Sequence, residues 1–297
     1  TPRHVRAIRS SAKGAGSREL ERLFSRIGEL SSLPSVAQRV LSVAADGESN
    51  AADLLKVVEQ DPTLVIRILR SVNSSHYGLR NQVGDLQSAI SLLGFIEVRN
   101  LAIIVYVARL CEEPSEYREF SRVGLWKHMV ATGAIARLVS QECRRADPEE
   151  AFVAGLLHDI GLLLIDQYLH TEMRRLVDLA VAGALTPEAE RELLSFDHTD
   201  LGGYIGRRSG LPDHVCDAIA FHHRPQSYRG RDRELLNVLV LANYLASRNG
   251  LPSLGVDCIA PLEDDVLRGL GLRRTQLKEI GRQMASTIES AGALAAI

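Results

Sequence analysis

Apolar positions recur at three- and four-residue steps along most of this chain, a spacing that predicts amphipathic helices. Leu20, Leu23, Phe24 and Ile27 begin the pattern. Pro34 suits the first turn of a helix running to Ala45, and Asn50 suits the cap of one over 51–60, with Asp53 in its acidic first turn. Asp61-Pro62 repeats the cap-plus-first-turn signal ahead of a helix over 63–73. A polar, Gly-containing connection over 74–85 leads to helices over 86–93 and 95–110, parted at Gly94. Residues 112–119 (EEPSEYRE) are acidic and interrupted by Pro114, which makes them the best boundary in the chain. Beyond it, Leu125, His128, Met129, Thr132, Ala136 and Val139 form one helical stripe.

Residues 151–166 (AFVAGLLHDIGLLLID) read as one buried helix of about four turns. Helical patterns continue over 171–182, over 187–194, and in a helix carrying His198 with Asp197 or Ser195 as its cap. Gly210-Leu211-Pro212 breaks that pattern. Val215, Ile219 and His222 then share a face that Pro225 ends. A helix over 235–247 and two more after Pro261 complete the reading, and no alternating run is long enough to argue for a sheet. The expectation is an all-α protein. Residues 1–17 are a linker or lead-in, 18–112 an N-terminal helical bundle, 120–250 a second helical domain, and 251–297 C-terminal helices.

His158 and Asp159 sit side by side in the most apolar of these helices. An ionisable pair in such surroundings costs several kcal/mol unless a metal, a partner charge or a hydrogen-bond network compensates it. Gly155 and Gly161, on either side, permit close helix approach. A His–Asp hydrogen bond that merely orders the core satisfies the same pattern.

Composition narrows the choice of function. Lys and Arg number 35 against 37 Asp and Glu, a net charge of −2, which gives no global attraction to nucleic acid or anionic membrane. Aromatics make up 5%, which further disfavours a nucleic-acid reader built on Arg207, Arg208 and the Arg229, Arg231 and Arg233 loop. The four cysteines have no CxxC spacing, as expected of reduced thiols in a cytoplasmic protein. The longest apolar run, 101–108, is too short to span a bilayer. The chain starts at Thr1 rather than Met, so an upstream portion is expected.

Five histidines, His128, His158, His198, His222 and His223, fall in helical contexts in the second half, together with Asp159. Imidazole plus carboxylate suits Fe, Mn or Zn, as one ion or two, and two ions could hold a bridging hydroxide for attack on phosphorus. The alternative is a polar network that holds helices in register with no ion.

Together these stretches carry a resemblance. Leu33-Pro34 with Val36, Asp61-Pro62 with Leu64, LRSVNSSHYG at 69–78 and SAISLLG at 88–94 lie in the first half. LWKH at 125–128, AGLLHDIG at 154–161, DHTDLGG at 197–203, GLP at 210–212 and HHRP at 222–225 lie in the second. From about Leu30 to Ala246 the chain resembles the HDOD family, the HD-related output domains of bacterial signalling proteins, within the HD superfamily of metal-dependent phosphohydrolases. The resemblance implies an HD-like second domain. His128 stands at the early His, His158-Asp159 at the HD pair, His198 at an intermediate His, and His222-His223 at the double His of HD-GYP-like relatives. Two positions depart from the catalytic pattern. Asn243 replaces the late Asp ligand, and Leu162 replaces a Lys that would face phosphate. No Gly-Tyr-Pro motif follows His223.

The leading expectation is a bacterial regulatory or output module, without efficient catalysis. It would act on other signalling proteins, take its input from an upstream sensor domain, or bind a small ligand such as a nucleotide. The competing expectation is a metal-dependent phosphohydrolase or phosphodiesterase for a nucleotide or cyclic dinucleotide. In that case Asp159 and the five histidines would hold metal, and Arg224 and Arg229 would meet phosphate.

Overall fold

The computed structural model describes residues 49–74, 77–184, 186–258 and 260–295, together with Arg39, Val40 and Val43. The expected linker at 1–17 and the helix around Leu20–Ile27 lie outside the described residues, as does most of the helix that opens at Pro34. The rest is helical, as its patterning predicts, apart from one minimal hairpin.

Local signals set the boundaries in the first half. In α1 (Ala51–Val58), Asn50 and Asp53 form a reciprocal capping box. In α2 (Pro62–Val72), the Asp61 carboxylate accepts from Thr63 N at 3.0 Å and Leu64 N at 3.1 Å. The same carboxylate takes a bond from Arg109 Nη1 at 2.7 Å, which ties in the far end of α4 (Phe95–Leu110). Between α3 (Leu86–Leu93) and α4 the chain turns at Gly94 with φ +87°, a conformation costly for any residue with a Cβ. Asn73 caps α2 and also closes the loop behind it. Its amide donates to Leu69 O and Val83 O, both at 2.8 Å, and accepts from Val83 N at 2.7 Å. The motif residue Asn73 is therefore committed to structure.

Residues 112–119, expected to mark a boundary, carry the first strand of a two-stranded hairpin, β1 (Glu116–Tyr117) and β2 (Phe120–Ser121). Arg118 occupies its turn at φ +51°. Two-residue strands are too short to leave a periodic trace in a sequence.

The second half is built on α5 (Arg122–Cys143), a helix of 22 residues. It packs against α6 (Pro148–Leu157), α12 (Arg233–Arg248) and α14 (Arg274–Ala295). Small residues set the α5–α6 crossing: a Cβ on Gly155 would lie 2.7 Å from the Gly133 Cα. The remaining helices are α7 (Ile160–Tyr168), α8 (His170–Val181), α9 (Thr186–Leu194), α10 (His198–Arg208), α11 (Asp213–Phe221) and α13 (Asp264–Leu270). Of these, α7 packs on α10, α10 on α11, and α11 on both α6 and α12. A single apolar core runs through both halves, and Asn100 Nδ2 of α4 bonds Glu149 Oε2 of α6 at 2.5 Å across the seam.

One described stretch, Pro148–Tyr168, is long and apolar enough to cross a membrane, but 89% of its apolar window is buried inside the fold. It is the core of the protein.

Candidate metal centre

The expected continuous helix over 151–166 is corrected by the structure. α6 ends at Leu157 and α7 begins at Ile160, so His158 and Asp159 form the junction. His158 is still helical (φ −59°, ψ −35°), whereas Asp159 has rotated out to φ −101°, ψ 15°. The Asp159 carbonyl then starts the new helix, accepting from Leu162 N at 2.9 Å. Close packing follows directly after this break: α10 presses so near that a Cβ on Gly161 would sit 2.0 Å from His198 O. Apolar periodicity does not register such a break, because both helices are buried on nearly every face.

Four helices aim imidazoles at the Asp159 carboxylate. His128 Nε2 of α5 lies 3.4 Å and His158 Nε2 lies 3.2 Å from Oδ2. His198 Nε2, at the start of α10, lies 3.3 Å and His222 Nε2, at the end of α11, lies 3.6 Å from Oδ1. The His223 ring is 4.3 Å from that of His222 and 5.0 Å from that of His198. Two sets of ligand atoms result, each mutually within 4.8 Å and both containing Asp159: His128–His158–Asp159, and Asp159–His198–His222–His223. All five histidines singled out from the sequence thus converge on one carboxylate.

The far nitrogens explain why the Nε2 atoms point inward. His128 Nδ1 is 2.5 Å from Leu251 O, His158 Nδ1 is 2.7 Å from Gly155 O, and His222 Nδ1 is 2.7 Å from Ile219 O. His198 Nδ1 meets both oxygens of Glu190 at 2.8 Å. A ring that donates through Nδ1 presents a bare Nε2 lone pair, which is the tautomer a metal takes.

The electrostatics follow from burial. Burial, reinforced by the neighbouring histidines, holds His223 well below its ordinary range, and burial takes His158 down to about 4 despite the adjacent Asp159. Both are neutral, as ligands must be. Burial would also lower His198, but the Glu190 carboxylate outweighs it and holds that imidazole well above the ordinary range, so an ion taken up there must displace the His198 proton. Burial would raise Asp159, yet His158 and its other histidine neighbours keep it ionised, well below the ordinary carboxylate range.

The two sets differ in what satisfies them. In the first, His128 Nε2 and His158 Nε2 face one another at 3.1 Å. Asp159 Oδ1, His198 Nε2 and His222 Nε2 are all buried with no hydrogen-bond partner, and all belong to the second set. Buried polar atoms are rarely orphaned, and three on one spot fit a cation. Three imidazoles and one carboxylate suit Zn, Fe or Mn.

Glu190 is absent from the sequence reading. It is fully buried on α9 beside Ala189. Its only signal is an acid placed on the apolar stripe of a short helix.

The other expected residues are placed as follows. Asn243 is buried on α12, which packs on the helix carrying His128. Leu162 is fully buried in the core. Arg224 is engaged by Asp200 and, at 3.4 Å, by Asp197, two acids of the α10 N-terminus. Arg229 folds back on its own loop, donating to Gln226 O at 2.6 Å.

The sequence matches the HDOD domain over residues 30–225. The chain belongs to the HDOD family. Among solved HDOD-like structures, an HDOD domain protein of unknown function from Geobacter sulfurreducens superimposes with a TM-score of 0.75 at 19% identity, covering 93% of this chain and 99% of that one. A candidate signal transduction protein from Marinobacter aquaeolei VT8 gives 0.72 at 26% identity, covering 88% and 59% respectively. A candidate phosphohydrolase from Shewanella amazonensis SB2B gives 0.71 at 22% identity, covering 92% and 97%. An uncharacterized protein of Treponema pallidum (strain Nichols) is 23% identical over 251 residues, which are 82% of this chain and 46% of that protein. This HDOD chain therefore spans about half the length of that curated relative. The structures similar to this chain thus include one named for signal transduction and one named as a phosphohydrolase.

Proposed function

We propose that this HDOD chain is a regulatory module of bacterial signalling in which Asp159, His198, His222 and His223 hold one structural Zn, Fe or Mn ion. It acts by binding a partner protein or a small ligand, downstream of a sensor domain in the cytoplasm, and not by efficient phosphoester hydrolysis. One observation carries this reading: the unpartnered metal-facing atoms are sealed inside the core. Asp159 is 1% exposed, His198 is fully buried and His222 is 3% exposed. An ion there is supported by convergent donors, and of the four only His223 is part-exposed, which leaves a phosphoester little access without opening the helix packing. The chemistry around the centre agrees. Asn243 and Leu162 supply no charge, and Arg224 is already committed to Asp197 and Asp200. A bound ion would supply positive charge at the convergence of α7, α10 and α11, holding the helices together as structural zinc does elsewhere.

A second reading has its own support. Two ligand sets sharing one carboxylate are the arrangement a two-metal hydrolase needs. The experiment that separates them is hydrolysis of bis-p-nitrophenyl phosphate and of a cyclic dinucleotide by chain purified without chelator and then supplied with excess Mn or Fe. Bound metal with no turnover supports the module. Turnover that is lost in His128→Ala supports the two-metal enzyme.

A further inference from the structure

We propose that the cleft between the β1–β2 hairpin and α8 binds a small organic anion, its carboxylate or phosphate head held by Arg122, Arg174 and Arg175. The cleft has a volume of about 790 Å³, within the size range of small-molecule sites. It is separate from the histidine centre and stands whether or not that centre binds metal.

Arg122 and Asp166 both line the cleft and are each 2% exposed. Arg122 Nε and Nη2 both bond Asp166 Oδ2 at 2.6 Å, and Ser115 Oγ donates to Asp166 Oδ1 at 2.7 Å. Nη1 of the same guanidinium is buried and has no hydrogen-bond partner. A buried guanidinium ordinarily uses all of its donors, so an unused one beside a cleft points to a missing acceptor.

The walls supply the remaining chemistry. Arg174 and Arg175 are exposed along α8 and make no ion pair among the described residues. Asp178 is already neutralised: Arg118 Nε sits 2.9 Å away and Tyr117 OH donates to it at 3.1 Å. These bonds also latch the hairpin onto α8, and Arg174 lies over the Tyr117 ring at 5.2 Å. Phe120, Met173 and Val177 lie beneath the cleft as a buried apolar floor. Glu113 and Glu116 at its edge repel a second anionic group, which favours a ligand with a single charged head. Asp166 is also seven residues from Asp159 along α7, about 10 Å by helical rise, so an occupant would press on the helix that begins at the histidine centre.

The test is isothermal titration of the full chain with benzoate, with phenyl phosphate and with neutral benzamide. Binding of either anion, weakened about tenfold or more in Arg174→Ala/Arg175→Ala, supports the site and identifies the head group. Both arginines are exposed, so this double variant keeps the fold. Failure of both anions to bind at millimolar concentration overturns the proposal. So does benzamide binding as well as the anions, or an unchanged affinity in the double variant.

Discussion

The substitution Gly161→Ala adds one methyl group where the packing leaves no room. Its Cβ would lie 2.0 Å from His198 O and 2.8 Å from His198 C, both backbone atoms that no rotamer change can move aside. Ordinary contact begins above 3 Å, so α7 and the start of α10 must separate by about 1 Å or more. Overpacking a well-filled core costs about 1–3 kcal/mol, and the rigidity of both partners here places the cost near the upper end. Helix propensity offsets less than about 1 kcal/mol of it. The net expectation is a loss of about 2 kcal/mol, read as a lower midpoint in urea at unchanged slope. Metal affinity should fall as well, because the same displacement draws His198 away from Asp159. Gly281→Ala in α14 is the matched control, since its Cβ meets nothing within 4 Å. It should stabilise by about 0.5–1 kcal/mol. Wild-type stability in Gly161→Ala, or equal effects of the two substitutions, would refute the packing argument for the α7–α10 contact beside the His-Asp junction.

Other consequences follow from named contacts. Glu190→Gln keeps the shape beside His198 but removes the charge that orients it, so metal affinity by competition with a chromogenic chelator should drop about 10–100-fold, and an unchanged affinity would deny Glu190 that role. Arg122→Met strands Asp166 inside the core and should cost about 3–5 kcal/mol in chemical denaturation, while Arg122→Met/Asp166→Leu should recover most of it. Burial raises the Cys111 and Cys216 thiols to about 12. The unfolded chain, with thiols near 8.5, therefore releases these protons first, so stability falls as pH rises from about 8.5 toward 12. At pH 8 iodoacetamide should label neither cysteine until denaturant is added, as mass spectrometry of the peptides will show.

Much of this was legible in the residues themselves. Asn50, Asp61 and Gly94 announce their helix boundaries because capping and positive φ are local physics, readable without neighbours. The five histidines and Asp159 were recognisable because ionisable groups on apolar stripes are expensive to bury. What stayed hidden depends on contacts between distant segments. The backbone of His198, nearly forty residues from Asp159, packs against Gly161 just beyond the break. Glu190 acquires its role only when α9 lays it against His198. The hairpin is too short to have a period, and the pairing of Arg224 with Asp197 and Asp200 depends on the α10 N-terminus that brings them beside it. The difference between the two ligand sets was also invisible, since helix packing alone decides which Nε2 atoms face each other and which lack a hydrogen-bond partner.

The most direct test of the central claim is metal content by mass spectrometry, on chain purified without chelator, for wild type, His128→Ala, His198→Ala and His222→Ala. The account predicts one Zn, Fe or Mn per wild-type chain, retained in His128→Ala and lost in both His198→Ala and His222→Ala, with all four proteins helical by circular dichroism. A well-folded wild type without metal would contradict it, as would an ion lost with His128 but kept without His222.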